Sequence, residues 1–144
     1  VEVKFADAQD IGVEVTTMYK ISKRFDFCAS HQLRGLPDNH QCARLHGHNY
    51  SVTVHLVSDD LSGPGFVRDY GELDVLVKQW LDDHFEHRHL NDVVPFNPTA
   101  ENLALFLYSQ FLPLIPELVA VTVKETDKTG ATYSPKRLLT FSNT

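Results

Sequence analysis

The sequence predicts an α+β domain in which an antiparallel sheet carries helices on one face. Three observations lead there: alternating apolar residues early in the chain, two helical apolar stripes in its middle, and a return to alternation near its end.

Residues 18–27 begin the pattern, with Met18, Lys20 and Ser22 on one side and Tyr19, Ile21, Phe25 and Phe27 on the other. That alternation suits a strand. Residues 33–45 contain Gly35, Pro37, Asp38 and Asn39 and form a loop. Over 46–57, Tyr50, Val52, Val54 and Leu56 share one face and Ser51, Thr53 and His55 the other, giving a second half-buried strand. Ser62-Gly63-Pro64-Gly65 is a turn.

Leu73, Leu76, Val77, Trp80 and Leu81 then recur at helical spacing, and Asp69 with Glu72 has the spacing of a capping box. Beyond Pro95 and Pro98, Thr99 caps a second helix whose apolar face holds Leu103, Phe106, Leu107, Phe111 and Leu114. Pro113 and Pro116 end or kink it. Val119, Val121 and Val123 alternate as a third strand, and 131–133 make a short fourth. Residues 1–15 lack periodicity and read as an arm or an added strand. A sheet of this kind leaves edges or a face seeking a partner, so an oligomer is expected.

The 144 residues fit one domain, 1–144, and 42% hydrophobic content excludes a disordered chain. A net charge of -6 argues against general nucleic-acid affinity but leaves room for a local basic pocket. No apolar run approaches the ~20 residues of a membrane span, and the first residues show no secretory pattern. Two cysteines are too few for a secreted disulfide scaffold of this length, so free thiols in a reducing cytoplasm are expected.

Eight histidines stand out, and three carry an argument. His46 and His48 sit two apart at the start of a strand, so their imidazoles point the same way. Gly47 between them permits close approach of backbone or ligand. His31 follows the first strand, and pairing of the first two strands brings it to the same end of the sheet. Three neutral imidazoles with an open fourth position describe catalytic zinc; copper and nickel also accept such ligands. Cys42 is a candidate fourth ligand that would close the site.

Cys42 lies four residues before His46, where a nearby cation would favour its thiolate as base or nucleophile. Cys28, beside Phe27 and Ala29, reads instead as a small buried hydrophobe. In Glu86-His87-Arg88-His89, Glu86 can orient His87 for acid–base work, or the segment is simply a solvated helix end. Glu125 ends the apolar face of Val119, Val121 and Val123 with a charge, which burial makes costly without a partner. An arginine would satisfy it structurally; the amino-pyrimidinone edge of a pterin or guanine would satisfy it functionally.

Together these segments resemble the 6-pyruvoyl-tetrahydropterin synthase and 6-carboxytetrahydropterin synthase family. The resemblance runs from about Tyr19 to Tyr133 and is carried by Phe27-Cys28-Ala29-Ser30-His31, by 42–50 as Cys-Ala-Arg-Leu-His-Gly-His-Asn-Tyr, and by 86–92 as Glu-His-Arg-His-Leu-Asn-Asp. Pro98-Thr99-Ala100-Glu101-Asn102 and Val123-Lys124-Glu125-Thr126 complete it. It implies a tunnelling fold: a four-stranded antiparallel sheet with two helices on one face, joined through sheet edges into a barrel, commonly a hexamer with active sites between subunits. It also implies Zn2+ on His31, His46 and His48, Cys42 as the catalytic thiol, His87 as its acid–base partner, and a pterin anchored by Glu125 beside Thr99 and Glu101.

The substrate implied is 7,8-dihydroneopterin triphosphate. The compact Cys-x-x-x-His-Gly-His spacing and the Lys124-Glu125-Thr126 strand end look closer to the bacterial carboxy-pterin branch. That branch releases triphosphate and acetaldehyde and serves queuosine-type 7-deazaguanine synthesis. The alternatives are the pyruvoyl-forming synthase and a pterin- or purine-binding homologue without turnover. The last follows from a departure: the family usually has aspartate where this chain has Glu86. A generic zinc hydrolase has only the histidines in its favour. Lys20, Lys23, Arg24 and Arg34 are the cations open to a triphosphate.

Overall fold

The computed structural model describes residues 18–135. The expectation for 1–15 lies outside them. One five-stranded sheet has the order β3-β1-β2-β4-β5, with β1 Tyr19–His31, β2 His46–Ser58, β3 Arg88–His89, β4 Leu118–Lys124 and β5 Ala131–Tyr133. The four expected strands are present and pair antiparallel. The fifth, β3, adds a short parallel edge, Ala29 opposite Arg88 and Ser30 opposite His89. Two residues are too few to show a period, so sequence could not announce it.

β1 runs four residues further than its apolar alternation suggested, because Ala29 and His31 continue the buried parity of Phe25 and Phe27. His31 therefore stands inside the strand, directly opposite His46. In β2 the buried face is Tyr50, Val52, Val54 and Leu56, as the alternation predicted. The β2–β4 register shifts between His55 and Leu56, which puts Leu118 opposite Leu56. Leu118 takes the buried place expected of Val119, which is left half-buried beside the irregularity.

The first helical stretch comprises α1 (Tyr70–Leu73), a π turn over Asp74–Lys78 and α2 (Gln79–His84). Leu73, Val77 and Leu81 are buried, and Leu76 and Trp80 pack against the same core. Asp69 caps the start by accepting from the Gly71 amide at 2.8 Å. Only half of the expected capping box forms, because Glu72 turns to Arg68 at 2.8 Å instead of returning to Asp69.

A single helical turn, α3 (Leu90–Val93), precedes α4 (Ala100–Phe111). Thr99 caps α4 as expected, its hydroxyl accepting from the Asn102 amide at 3.2 Å. Leu103, Leu107 and Phe111 enter the core. Leu114 does not: α4 ends at Phe111, Leu114 is 45% exposed, and Ile115 fills the core position. Proline at 113 and 116 turns the chain before another helical repeat can form. Among the described residues, no helix is long and apolar enough to cross a membrane.

The helices pack on one face of the sheet, where Phe27 stacks on Tyr50 with ring centroids 4.8 Å apart and meets Phe85 at 5.5 Å. This aromatic layer lies next to the histidine end of β1 and β2 and gives it a rigid floor.

Candidate metal centre and active site

Strand register assembles the three histidines. His31 pairs with His46, and His48 pairs with Ala29, so all three imidazoles lie on the core side at one end of the sheet. Their ligand atoms fall within 4.8 Å of one another. Gly47 suits this close approach: a Cβ there would stand 3.3 Å from the Ala29 carbonyl oxygen, a tight contact.

Two tautomers are set by backbone carbonyls. His31 Nδ1 donates to the Pro98 carbonyl at 2.8 Å, and His46 Nδ1 donates to the Arg44 carbonyl at 2.7 Å. A carbonyl can only accept, so each Nε2 is left with its lone pair. Those two Nε2 atoms lie 3.0 Å apart. The third, His48 Nε2, is buried without a hydrogen-bond partner and lies 3.7 Å from Glu125 Oε2.

Burial holds His31 below the ordinary imidazole pKa despite the opposing Pro98 bond and Glu125 charge. Burial lowers His48 as well, against the opposing pull of Glu125. Neutral imidazoles with inward lone pairs are what a borderline metal ion takes, and a cation would relieve both the facing lone pairs and the orphaned nitrogen. The set fits a zinc-type ion, and Cys42 is not part of it.

Glu125 lies just past β4, and the Ser51–Lys124 pairing, continued by one residue, sets it opposite Tyr50. Among the described residues its one ionic neighbour is His48; no arginine meets it. The Tyr50 hydroxyl is likewise buried without a partner, and burial, then the Glu125 charge, raises its pKa. Thr99 and Glu101 start α4 immediately after Pro98, whose carbonyl holds His31, so they border the same end of the sheet. Lys23 and Arg24 are engaged elsewhere, with Asp74 at 2.6 Å and Asp26 at 2.9 Å.

Glu86 and His87 form a close pair, His87 Nδ1 lying 2.6 Å from Glu86 Oε1. Glu86 Oε2 also accepts from the Cys28 amide at 3.2 Å, while the His87 amide donates to the Cys28 carbonyl at 2.7 Å. His87 adopts φ 55°, the one non-glycine positive φ among the described residues, which turns its exposed ring off the β1 edge.

A cavity of about 500 Å³ runs along this edge, lined by His87, His89, Cys28 and Asn49. Cys42 is not among its lining residues; it sits on a 3-10 turn, Gln41–Ala43. One copy of the chain therefore gathers the histidines with Glu125, and Glu86 with His87, but leaves Cys42 on a separate loop.

Cys28 departs from its reading as a buried hydrophobe. It occupies an outward parity of β1, is exposed, and its thiol lies 2.9 Å from Asn49 Oδ1. Both cysteines are free thiols. Sequence reasoning also missed the Pro98 carbonyl that holds His31, since no side-chain pattern marks such a partner.

The model of the family described as 6-pyruvoyl tetrahydropterin synthase matches residues 20–136. The chain belongs to this family. Among its relatives, a 6-carboxy-5,6,7,8-tetrahydropterin synthase of Synechocystis sp. is 34% identical over 129 residues, covering 84% of this chain and 97% of the relative. A 6-pyruvoyl tetrahydrobiopterin synthase of Dictyostelium discoideum is 28% identical, covering 78% and 93%. The fold agrees with that of the Caenorhabditis elegans 6-pyruvoyl tetrahydropterin synthase, with a TM-score of 0.73 and 27% identity over 84% of this chain and 98% of that one. Family membership and the converging histidines were thus both legible before the fold was known.

Proposed function

We propose that this protein is a zinc-dependent 6-carboxytetrahydropterin synthase acting on 7,8-dihydroneopterin triphosphate. The observation that carries the reading is the meeting of three imidazoles, one with an orphaned buried nitrogen, beside a carboxylate that meets no lysine or arginine among the described residues. The 34% identical carboxy-pterin synthase favours this branch over the pyruvoyl-forming one.

His31, His46 and His48 would hold the ion, which when bound supplies Lewis-acid polarisation of the substrate's side-chain oxygens. Glu125 accepts the two adjacent N–H donors of the pterin's amino-pyrimidinone edge, and Thr99 and Glu101 border that pocket. The Cys42 thiolate takes a proton from the substrate side chain. His87, oriented by Glu86, exchanges a proton with a side-chain hydroxyl. Because Cys42 does not line the cavity that His87 lines in a single copy, the site is completed between subunits of a homo-oligomer.

Incubation of zinc-loaded protein with the substrate tests this directly. Triphosphate, acetaldehyde and a carboxy pterin identified by mass are the expected products. Triphosphate without acetaldehyde would assign the pyruvoyl-forming reaction. Binding without either product would make the chain a pterin-binding homologue.

A further inference from the structure

The chain leaving β1 is held by a repeated device. Asn91 Oδ1 accepts from the Gln32 amide at 2.8 Å while Asn91 Nδ2 donates to the Gln32 carbonyl at 2.8 Å. Asn97 does the same to Arg34: Oδ1 accepts from its amide at 2.9 Å and Nδ2 donates to its carbonyl at 3.0 Å. Each asparagine satisfies both backbone groups of one residue, as a neighbouring strand would, although residues 32–34 belong to no strand.

Cys42 hangs from this clamped segment. Leu33, between the two clamped residues, donates its amide to the Cys42 carbonyl at 3.0 Å. The Gln32 side chain donates to the next carbonyl, Ala43, at 2.8 Å. The turn that carries Cys42 has no buried residue, so hydrogen bonds rather than apolar packing define its place. Asn97 is itself held, its carbonyl accepting from Asn102 Nδ2 at 2.9 Å.

We infer that Asn91 and Asn97 are positioning residues for the Cys42 thiol, setting through Gln32, Leu33 and Arg34 the point from which it meets substrate. This rests on the reading of Cys42 as the reacting thiol. It predicts that loosening either clamp damages the chemical step and leaves ground-state binding and the metal in place, since a misplacement of about 1 Å can cost ~10²-fold in rate.

Asn91→Asp and Asn97→Asp keep side-chain size and the acceptor oxygen but oppose a backbone carbonyl with a second oxygen. The two variants touch different residues, so either one can decide the question if the other fails to fold. Each is made in a zinc-loaded Cys28→Ser background, which leaves Cys42 as the labelled thiol. Alkylation of Cys42 by iodoacetamide, bound zinc, kcat and KM for 7,8-dihydroneopterin triphosphate are then measured.

The expected result is kcat lower by ~10²-fold, little change in KM, unchanged zinc, and Cys42 alkylated severalfold faster. Unchanged alkylation with unchanged kcat would overturn the inference. So would a loss of kcat that follows loss of zinc, because that assigns the asparagines to general stability. If the parent itself shows no turnover, or Cys42→Ala leaves turnover intact, the reading of Cys42 as reacting thiol is lost. The alkylation rates then still decide whether the asparagines hold the loop.

Discussion

His31 and His46 face each other across the β1–β2 pairing with their Nε2 atoms 3.0 Å apart and their Nδ1 atoms turned to backbone carbonyls. Protein folding alone has brought two lone pairs together, so the free energy of this end of the sheet depends on pH and on metal.

The metal-free protein is expected to lose stability as pH falls below about 6.5. Burial lowers the folded pKa of both His31 and His48 from 6.5, so the unfolded chain binds protons first. Where the unfolded state binds more protons, stability rises with pH and falls with acid. Thermal melts of chelator-treated protein from about pH 7.5 down to 5.5 should show Tm falling, and His31→Asn with His48→Asn should flatten the slope. A melting temperature independent of pH over that range would contradict the buried, neutral imidazoles.

Cys42→Ala should keep bound zinc and lose turnover by at least ~10²-fold, as for removal of an acid–base group. Cys28→Ala should retain activity, because the Cys28 thiol faces Asn49 on the outward side of β1. The reverse result would transfer the reacting thiol to the cavity that Cys28 and His87 share.

Glu86→Gln removes the charge that pairs with His87 Nδ1 at 2.6 Å. Turnover should drop on the order of 10²-fold with zinc retained. Stability should change little, because both groups border solvent and such pairs contribute about 0–1 kcal/mol. Parallel kinetics and denaturant unfolding of the variant separate the two effects; full activity would remove the pair from the chemistry.

Tyr50→Phe should not destabilise the metal-free protein. The Tyr50 hydroxyl is buried with no partner, so deleting it removes a desolvation penalty, with a change of about 0 to 1 kcal/mol in the stabilising direction. A urea titration that instead shows a loss above about 1 kcal/mol would reveal a hydrogen bond to this hydroxyl.

Phe27→Ala tests the floor beneath the site. Phe27 is 2% exposed and stacks on Tyr50, so truncation should cost about 3–5 kcal/mol. Unfolding by guanidinium, followed by tryptophan fluorescence from Trp80, measures it. A cost under about 1 kcal/mol would mean that the neighbouring rings collapse into the space.

Much of this protein was legible in its sequence. The alternation in β1 and β2, the stripe of Leu73, Val77 and Leu81, and the Thr99 cap are local patterns, and each survives into the fold. His46 and His48 could be read as convergent because a strand's side-chain period is two.

What the tertiary structure decided is non-local. Only strand pairing places His31 opposite His46, and only packing replaces Val119 with Leu118 and Leu114 with Ile115. The two-residue β3, the Pro98 carbonyl on His31 and the asparagine clamps on Gln32 and Arg34 join segments 59 to 67 residues apart or use backbone atoms that any residue carries. Side-chain periodicity records which face of an element is apolar. It carries no record of which distant backbone group a side chain will meet, and that pairing is what orders this site.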